Sequence, residues 1–123
     1  METRVVERNG SSVAVVKSGE VVIGDVQSAL DFLASIEYET GCSRIALNKE
    51  ALTEEFFVLS TRLAGEILQK FVNYRVKLAV YGDFSRYTSR PLMDFIYESN
   101  RGNDIFFAPT EESAVERLLS AKE

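Results

Sequence analysis

Apolar and polar positions alternate along this chain with two different periods, and the switches between them mark the elements. Thr3 to Arg8 and Ser12 to Lys17 are short valine-rich runs joined through Asn9-Gly10. Asn-Gly tolerates positive φ at both central positions of a tight turn, so the pair predicts a β-hairpin. Ser18-Gly19 turns the chain again into Val21-Val22-Ile23, read as a short strand or extended lead-in. Val26, Ala29, Leu30, Leu33 and Ile36 then recur at helical spacing. Asp25 before them can cap a helix, and Gly41 after them can end it in the left-handed conformation.

Beyond Gly41 the two periods alternate. Arg44 to Asn48 reads as a strand, and Ser60 to Asn73 as the clearest helix, with Leu63, Ala64, Ile67, Leu68, Phe71 and Val72 on one stripe. Lys77 to Tyr81 is the next strand. Ser89 caps a third helix with Pro91 in its first turn. Ile105 to Ala108 is the last strand, and Thr110 caps a final helix carrying Ala114, Val115, Leu118 and Leu119. Lys49 to Leu59 fits neither period. The order is hairpin, helix, then strand–helix three times, which predicts a single α/β domain over residues 1–123. It has an N-terminal β-hairpin, five to six strands, four helices and parallel pairing after the hairpin.

Strand alternation divides the sheet into two faces. Val13 with Val15, Ile45 with Leu47, Leu78 with Val80, and Ile105 with Phe107 are expected to lie under the helices. Ala14, Ala46, Ala79 and Ala108, with Val16, Tyr81 and Phe106, form the opposite face, expected to meet a closely packed second layer or a partner. Phe56-Phe57 and Phe106-Phe107 place neighbouring aromatics on opposite sides, so a homodimer that buries one of each pair is an open alternative to burial by a local loop.

Composition narrows the chemistry. At 46% hydrophobic and 27% charged over 123 residues the chain is globular, and a domain of this size buries roughly 65% of the surface its unfolded form exposes. There is no histidine, which removes Ser-His-Asp and Cys-His nucleophilic pairs and the common zinc ligand sets. The single cysteine, Cys42, excludes an internal disulfide and reads as a small apolar filler. A net charge of −5, with Arg86, Arg90 and Arg101 interleaved among acids, gives no footprint for nucleic acid. No apolar run approaches the ~20 residues of a membrane span. Met1 leads directly into Glu2 and Arg4 without the profile of a secretory signal, so the cytoplasm is the expected location. No cofactor, metal or catalytic residue is expected.

The element order resembles the STAS (SpoIIAA-like) fold of anti-sigma-factor antagonists, over about residues 12 to 120. Ser18-Gly19-Glu20, the run Lys77 to Gly82, Asp104-Ile105-Phe106-Phe107 and Thr110-Glu111-Glu112-Ser113-Ala114 carry the likeness. A closer resemblance, on "AGEILQKFVNYRVKLA", "GDFS" and "DFIYESNRGNDIFF", is to an uncharacterised prokaryotic domain-of-unknown-function family. The STAS likeness implies a non-catalytic bacterial regulatory or protein-binding module. It also implies a phosphorylatable hydroxyl at the start of the second helix, within Asp-Ser-(Ser/Thr)-Gly. The matching positions here are Leu59-Ser60-Thr61-Arg62, which keep the hydroxyls and lack the acid and the glycine. Ser60, Thr61 and Arg62 are therefore candidates for phosphorylation or partner contact, against simple helix capping by either hydroxyl.

A second candidate lies beyond the carboxyl ends of the strands, where parallel α/β domains place ligands. That edge gathers Asn48, Lys49, Glu50, Gly82, Asp83, Ser85, Arg86, Tyr87, Pro109 and Thr110. In "GDFSRYTSRP", Gly82 would admit a ligand, Arg86 or Arg90 would pair its charge beside Asp83, and Tyr87 would stack or donate. This gives the alternative function, a small-ligand or anion binder or an enzyme using the loop after the fourth strand. Adjacent Glu54 and Glu55 diverge on either regular element and read as a solvated helix start. Gly65, inside the strongest helix, is expected to allow close helix–sheet packing.

Overall fold

β1 (Glu2–Arg8) and β2 (Ser11–Lys17) form an antiparallel ladder in which Arg8 pairs with Ser11 and Glu2 with Lys17. Asn9 and Gly10 between them have φ of 51° and 84°, the pair of positive values that a two-residue hairpin turn demands. The computed structural model describes residues 1–122. It continues with α1 (Val26–Thr40), β3 (Arg44–Asn48), α2 (Leu63–Asn73), β4 (Lys77–Tyr81), α3 (Arg90–Arg101), β5 (Ile105–Ala108) and α4 (Glu111–Ser120). The five strands lie in the sheet in their order along the chain, and β2 to β5 run parallel.

Local chemistry sets the helix ends. The Asp25 carboxylate accepts from Ser28 N–H at 2.8 Å, and the Ser28 hydroxyl accepts from Asp25 N–H in return. Thr110 and Ser113 repeat this reciprocal box at α4, which satisfies two otherwise orphaned amides at each start. Gly41 ends α1 at φ 72°.

The sheet is covered on both faces. Ala14, Val16, Ile45, Leu47, Leu78, Val80, Ile105 and Phe107 point to the side on which α1, α2 and α3 pack. Val13, Val15, Ala46, Ala79, Tyr81, Phe106 and Ala108 point to the other, where Ala114, Val115 and Leu118 of α4 meet them. The small side chains of Ala46, Ala79 and Ala108 let α4 lie across β2 to β5. The alanine-rich face thus has its second layer within the chain. The expected face of β2 is reversed: Ala14 lies beside Ile45 and Val15 beside Ala46. Four consecutive buried positions, Val13 to Val16, carry no polar alternation to fix the face, and a one-residue slip exchanges the two sets.

Two open stretches take a definite form, and two expectations, at Gly65 and Val72, are corrected. Of the two readings of Val21–Ile23 the structure takes the extended lead-in and not the strand: Ile23 makes a single bridge to Leu52, with its N–H donating to the Ala51 carbonyl at 3.0 Å. The unassigned stretch after β3 forms three short 3-10 turns, Lys49–Ala51, Glu54–Phe57 and Leu59–Thr61. Gly65 is exposed, and a Cβ there would meet nothing within 4 Å, so it permits no close packing. Val72, placed on the α2 stripe, is also exposed, whereas Ala64, Ile67, Leu68 and Phe71 are buried.

Both aromatic pairs are buried within the chain. Phe56 and Phe57 meet edge to face at 5.0 Å, Phe107 joins the larger core, and Phe106 lies under α4 with the Arg117 guanidinium 4.4 Å from its ring centre. They therefore give no reason for self-association. Cys42 is buried, as a small filler should be. Among the described residues no helix is long and apolar enough to cross a membrane.

Candidate functional site

The carboxyl edge of the sheet is built where three chain segments leave β3, β4 and β5. The chain after β4 turns to α3 on one face, and the chain after β5 turns to α4 on the other. Residues 82–83 and 109–110 therefore stand at the one divergence among the parallel strands, the place where such sheets open a crevice.

The register that pairs Asn48 with Tyr81 brings Lys49 beside Gly82. Gly82 has φ 155°, and a Cβ there would lie 2.8 Å from both Cγ and Cδ of Lys49. Glycine is required so that the lysine stem can cross the strand end. That stem is largely buried, and it carries the ammonium to 5.3 Å from the centre of the Tyr87 ring. Arg86 Cζ lies 5.1 Å from the same centre, so two cations share one aromatic ring. Tyr87 stacks on Phe57 at 5.0 Å, and Phe84 links both rings to Phe107.

Glu54, expected to be merely solvated, completes this group. It pairs with Arg86, and the Tyr87 hydroxyl lies 3.2 and 3.1 Å from its two oxygens. Glu55, its neighbour, is exposed and has no side-chain partner among the described residues. Arg86 is held above its ordinary pKa first by the hydrogen bond to Tyr87 and then by the charge of Glu54. Asp83 folds back to accept from Ser85 N–H at 2.9 Å. Ser85 hydrogen bonding first, then the charges of Lys49 and Arg86, hold its carboxyl below the usual range. Arg90 is not part of the group, because it pairs with Asp94 along α3 at 3.3 Å.

The structure thus brings Gly82, Arg86 and Tyr87 together with Lys49 and Glu54, and turns Asp83 inward on its own loop. Five surface cavities of ≈180 to ≈580 Å³ lie elsewhere, and none is lined by residues 82–90. Asn48 is also committed: its amide accepts from Ser18 N–H at 2.9 Å and donates to Ser18 C=O at 2.7 Å.

The start of α2 differs from its expected form. Ser60 and Thr61 belong to the preceding 3-10 turn, and the position before the helix is Arg62 at φ 66°. The cause is the Thr61 hydroxyl, which accepts from Leu63 N–H at 3.2 Å with the Val58 and Glu55 carbonyls 2.8 and 3.0 Å away. These bonds close one turn before the helix can begin. Thr61 supplies part of the capping expected of it, and Ser60 supplies none. Ser60 and Arg62 are exposed, and neither side chain has a partner among the described residues. Val58 beside them is 51% exposed.

One cluster has no counterpart in the sequence reading. Arg4 of β1 donates to Glu111 of α4 at 2.6 Å, and the Tyr81 hydroxyl lies 3.4 Å from the same carboxylate and 3.1 Å from the Val16 carbonyl. Arg4 is the main cause holding the Glu111 carboxyl below its usual range. Burial first, and Glu111 second, push the Tyr81 phenol up to about 12. Residues 4 and 111 are separated by nearly the whole chain, so only the capping signal at Thr110 placed Glu111 at a helix start.

A family model described as a domain of unknown function, DUF4180, matches residues 8–118, and the chain belongs to that family. The comparison with curated proteins finds no match, and neither does the comparison with solved structures.

Proposed function

We propose that this DUF4180 member is a non-catalytic bacterial regulatory module of STAS-like design that binds a protein partner at the start of α2. The observation that carries the reading is Arg62. It is a non-glycine residue in the left-handed region, exposed and without a side-chain partner among the described residues. Backbone strain of this kind costs on the order of 1–3 kcal/mol and concentrates at binding and switch regions. Here it aims a guanidinium from the same turn that exposes Val58 and Ser60, an apolar contact beside a charge and a hydroxyl. The STAS-like part of the reading rests on the hairpin followed by three parallel crossovers. The alternative, a small anion bound at the loop after β4, would have to displace Glu54 from Arg86 and Tyr87.

The test is quantitative affinity purification from the native cell with wild type, Val58→Asp, Arg62→Glu and Ser60→Asp. The expected result is a protein enriched about tenfold or more by wild type, lost with the first two variants and altered with the third, while all four melt alike. Co-purification that ignores these substitutions would overturn the reading, as would turnover dependent on a named side chain. A ligand of the β4–α3 loop would survive Val58→Asp and Arg62→Glu, which separates the two functions.

A further inference from the structure

The two edges of the sheet are finished differently. At β5 the edge is short and guarded. The Asn100 side chain, from α3, accepts from Phe107 N–H at 2.8 Å and donates to Phe107 C=O at 3.1 Å. It occupies an outward-facing peptide group that another strand could otherwise use. At β1 the edge is seven residues long, and no described residue takes its outward groups. In a two-residue hairpin the residues flanking the turn exchange both backbone bonds, and such pairs alternate along the ladder. Arg8, Val6, Arg4 and Glu2 therefore bond to β2, while Thr3, Val5 and Glu7 present their N–H and C=O groups to the open side. Val5 at the centre of this edge is 47% exposed.

From this edge we infer that two copies of the chain pair through β1, antiparallel about a two-fold axis at Val5, to give one sheet of ten strands, five from each copy. The register follows from charge. A two-fold axis normal to the sheet allows only pairings centred on a residue. Centring on Arg4 sets Arg4 against Arg4, and centring on Val6 sets Arg4 against Arg8. Centring on Val5 sets Glu2 against Arg8 twice, Arg4 against Val6, Thr3 against Glu7, and Val5 against Val5. Opposite charges directly across a ladder stabilise it and like charges oppose it, so one register is selected. In it the α1–α3 layers of both copies lie on one side of the joined sheet and both α4 helices on the other. The surface is separate from the start of α2 and does not depend on the function proposed there.

The test is sedimentation equilibrium across the micromolar range. A monomer–dimer equilibrium is expected. Val5→Pro should abolish it while leaving the β1–β2 ladder intact, because the lost N–H points outward. Glu2→Arg should weaken the dimer about tenfold, and Glu2→Arg with Arg8→Glu should restore it, a charge exchange that decides the matter even if the proline variant folds poorly. Because Cys42 is buried, Val5→Cys supplies the only accessible thiol, and it should cross-link dimers on oxidation where Val21→Cys does not. A chain monomeric throughout the range, a dimer indifferent to these substitutions, or a monomer whose β1 edge is filled by an extended segment of another protein would each overturn the inference.

Discussion

A methyl group added at Gly65 would meet open space, whereas one added at Gly82 would press into the buried stem of Lys49 at 2.8 Å, on a backbone with φ 155°. The two glycines therefore respond oppositely to the same substitution. Gly65→Ala should stabilise the protein by about 0.5–1 kcal/mol, because an exposed helix interior gains from lost chain freedom and nothing else changes. Gly82→Ala should destabilise it by about 1–3 kcal/mol through backbone strain and displacement of Lys49. Denaturant unfolding of both variants measures this, and equal effects would contradict the assigned environments. The packing role expected of Gly65 fails, although its place off the stripe of Ala64, Ile67, Leu68 and Phe71 already points it toward solvent. The room for a ligand expected at Gly82 is taken by Lys49, its neighbour once Asn48 pairs with Tyr81. Glu54 and Glu55 diverge, as adjacent carboxylates must. Their spacing rules out a dyad but does not reveal that Glu54 meets Arg86, 32 residues on.

Element boundaries follow two kinds of chemistry, and only one leaves a trace in spacing. The caps at Asp25, Ser89 and Thr110 and the stop at Gly41 lie where their residue types place them, because a cap acts over three or four residues. Asparagines do a second job over longer separations. Asn48 holds both polar groups of Ser18, Asn100 those of Phe107, and Asn103 those of Lys122. In each case a side-chain amide stands in for a peptide group: Asn100 closes the outer edge of β5, Asn48 of β3 holds the chain just past β2, and Asn103 holds the segment after α4. Nothing in the sequence distinguishes these asparagines from surface ones. Asn100→Ala should leave Phe107 N–H without its protein partner and cost about 1–3 kcal/mol. Native-state hydrogen exchange should show that amide losing protection, and unchanged protection would mean Asn100 does not guard the edge. The start of α2 departs from its expected place for a related reason, since the Thr61 hydroxyl closes a competing turn whose partners, Glu55 and Val58, lie on the side away from the helix.

For the molecule as a whole, alternation of the two hydrophobic periods is enough to give a parallel sheet with two faces and helices on one of them. The choice between a second layer and a partner on the alanine-rich face is decided only by the packing of α4. Alternation could not give the face of β2, whose buried run is apolar throughout. The pH response is also a property of the whole, because Arg4, Tyr81 and Glu111 join β1, β4 and α4. Glu111, Asp25 and Asp83 have carboxyls held low, so the stability they supply is present above the ordinary carboxylate range and lost as pH falls below it, through their lowered folded-state values. Tyr81 acts at the other end. Its phenol is raised from 10 to about 12, so above pH 10 the unfolded chain ionises first and stability falls until the folded phenol titrates. Tyr81→Phe should cost about 1 kcal/mol near neutrality for the lost hydrogen bond. That deficit should shrink as pH rises past 10, because the variant lacks the ionisation that weakens the wild type. Thermal melts across this interval decide it, and a constant gap would show that Tyr81 is not the group involved.

The placing of α4 alone on its face has a consequence for how the protein is made. Each strand pairs with the one synthesised just before it, and the larger core can close progressively as α1, α2 and α3 emerge from the ribosome. The opposite face cannot. Val13, Val15, Ala46, Ala79 and Phe106 wait bare until Glu111 to Ser120 have been added, the last element in chain order. A nascent or truncated chain therefore carries a finished core on one side and an exposed apolar wall on the other, a surface suited to chaperone capture or aggregation. Those ten residues act as the seal on an otherwise complete sheet.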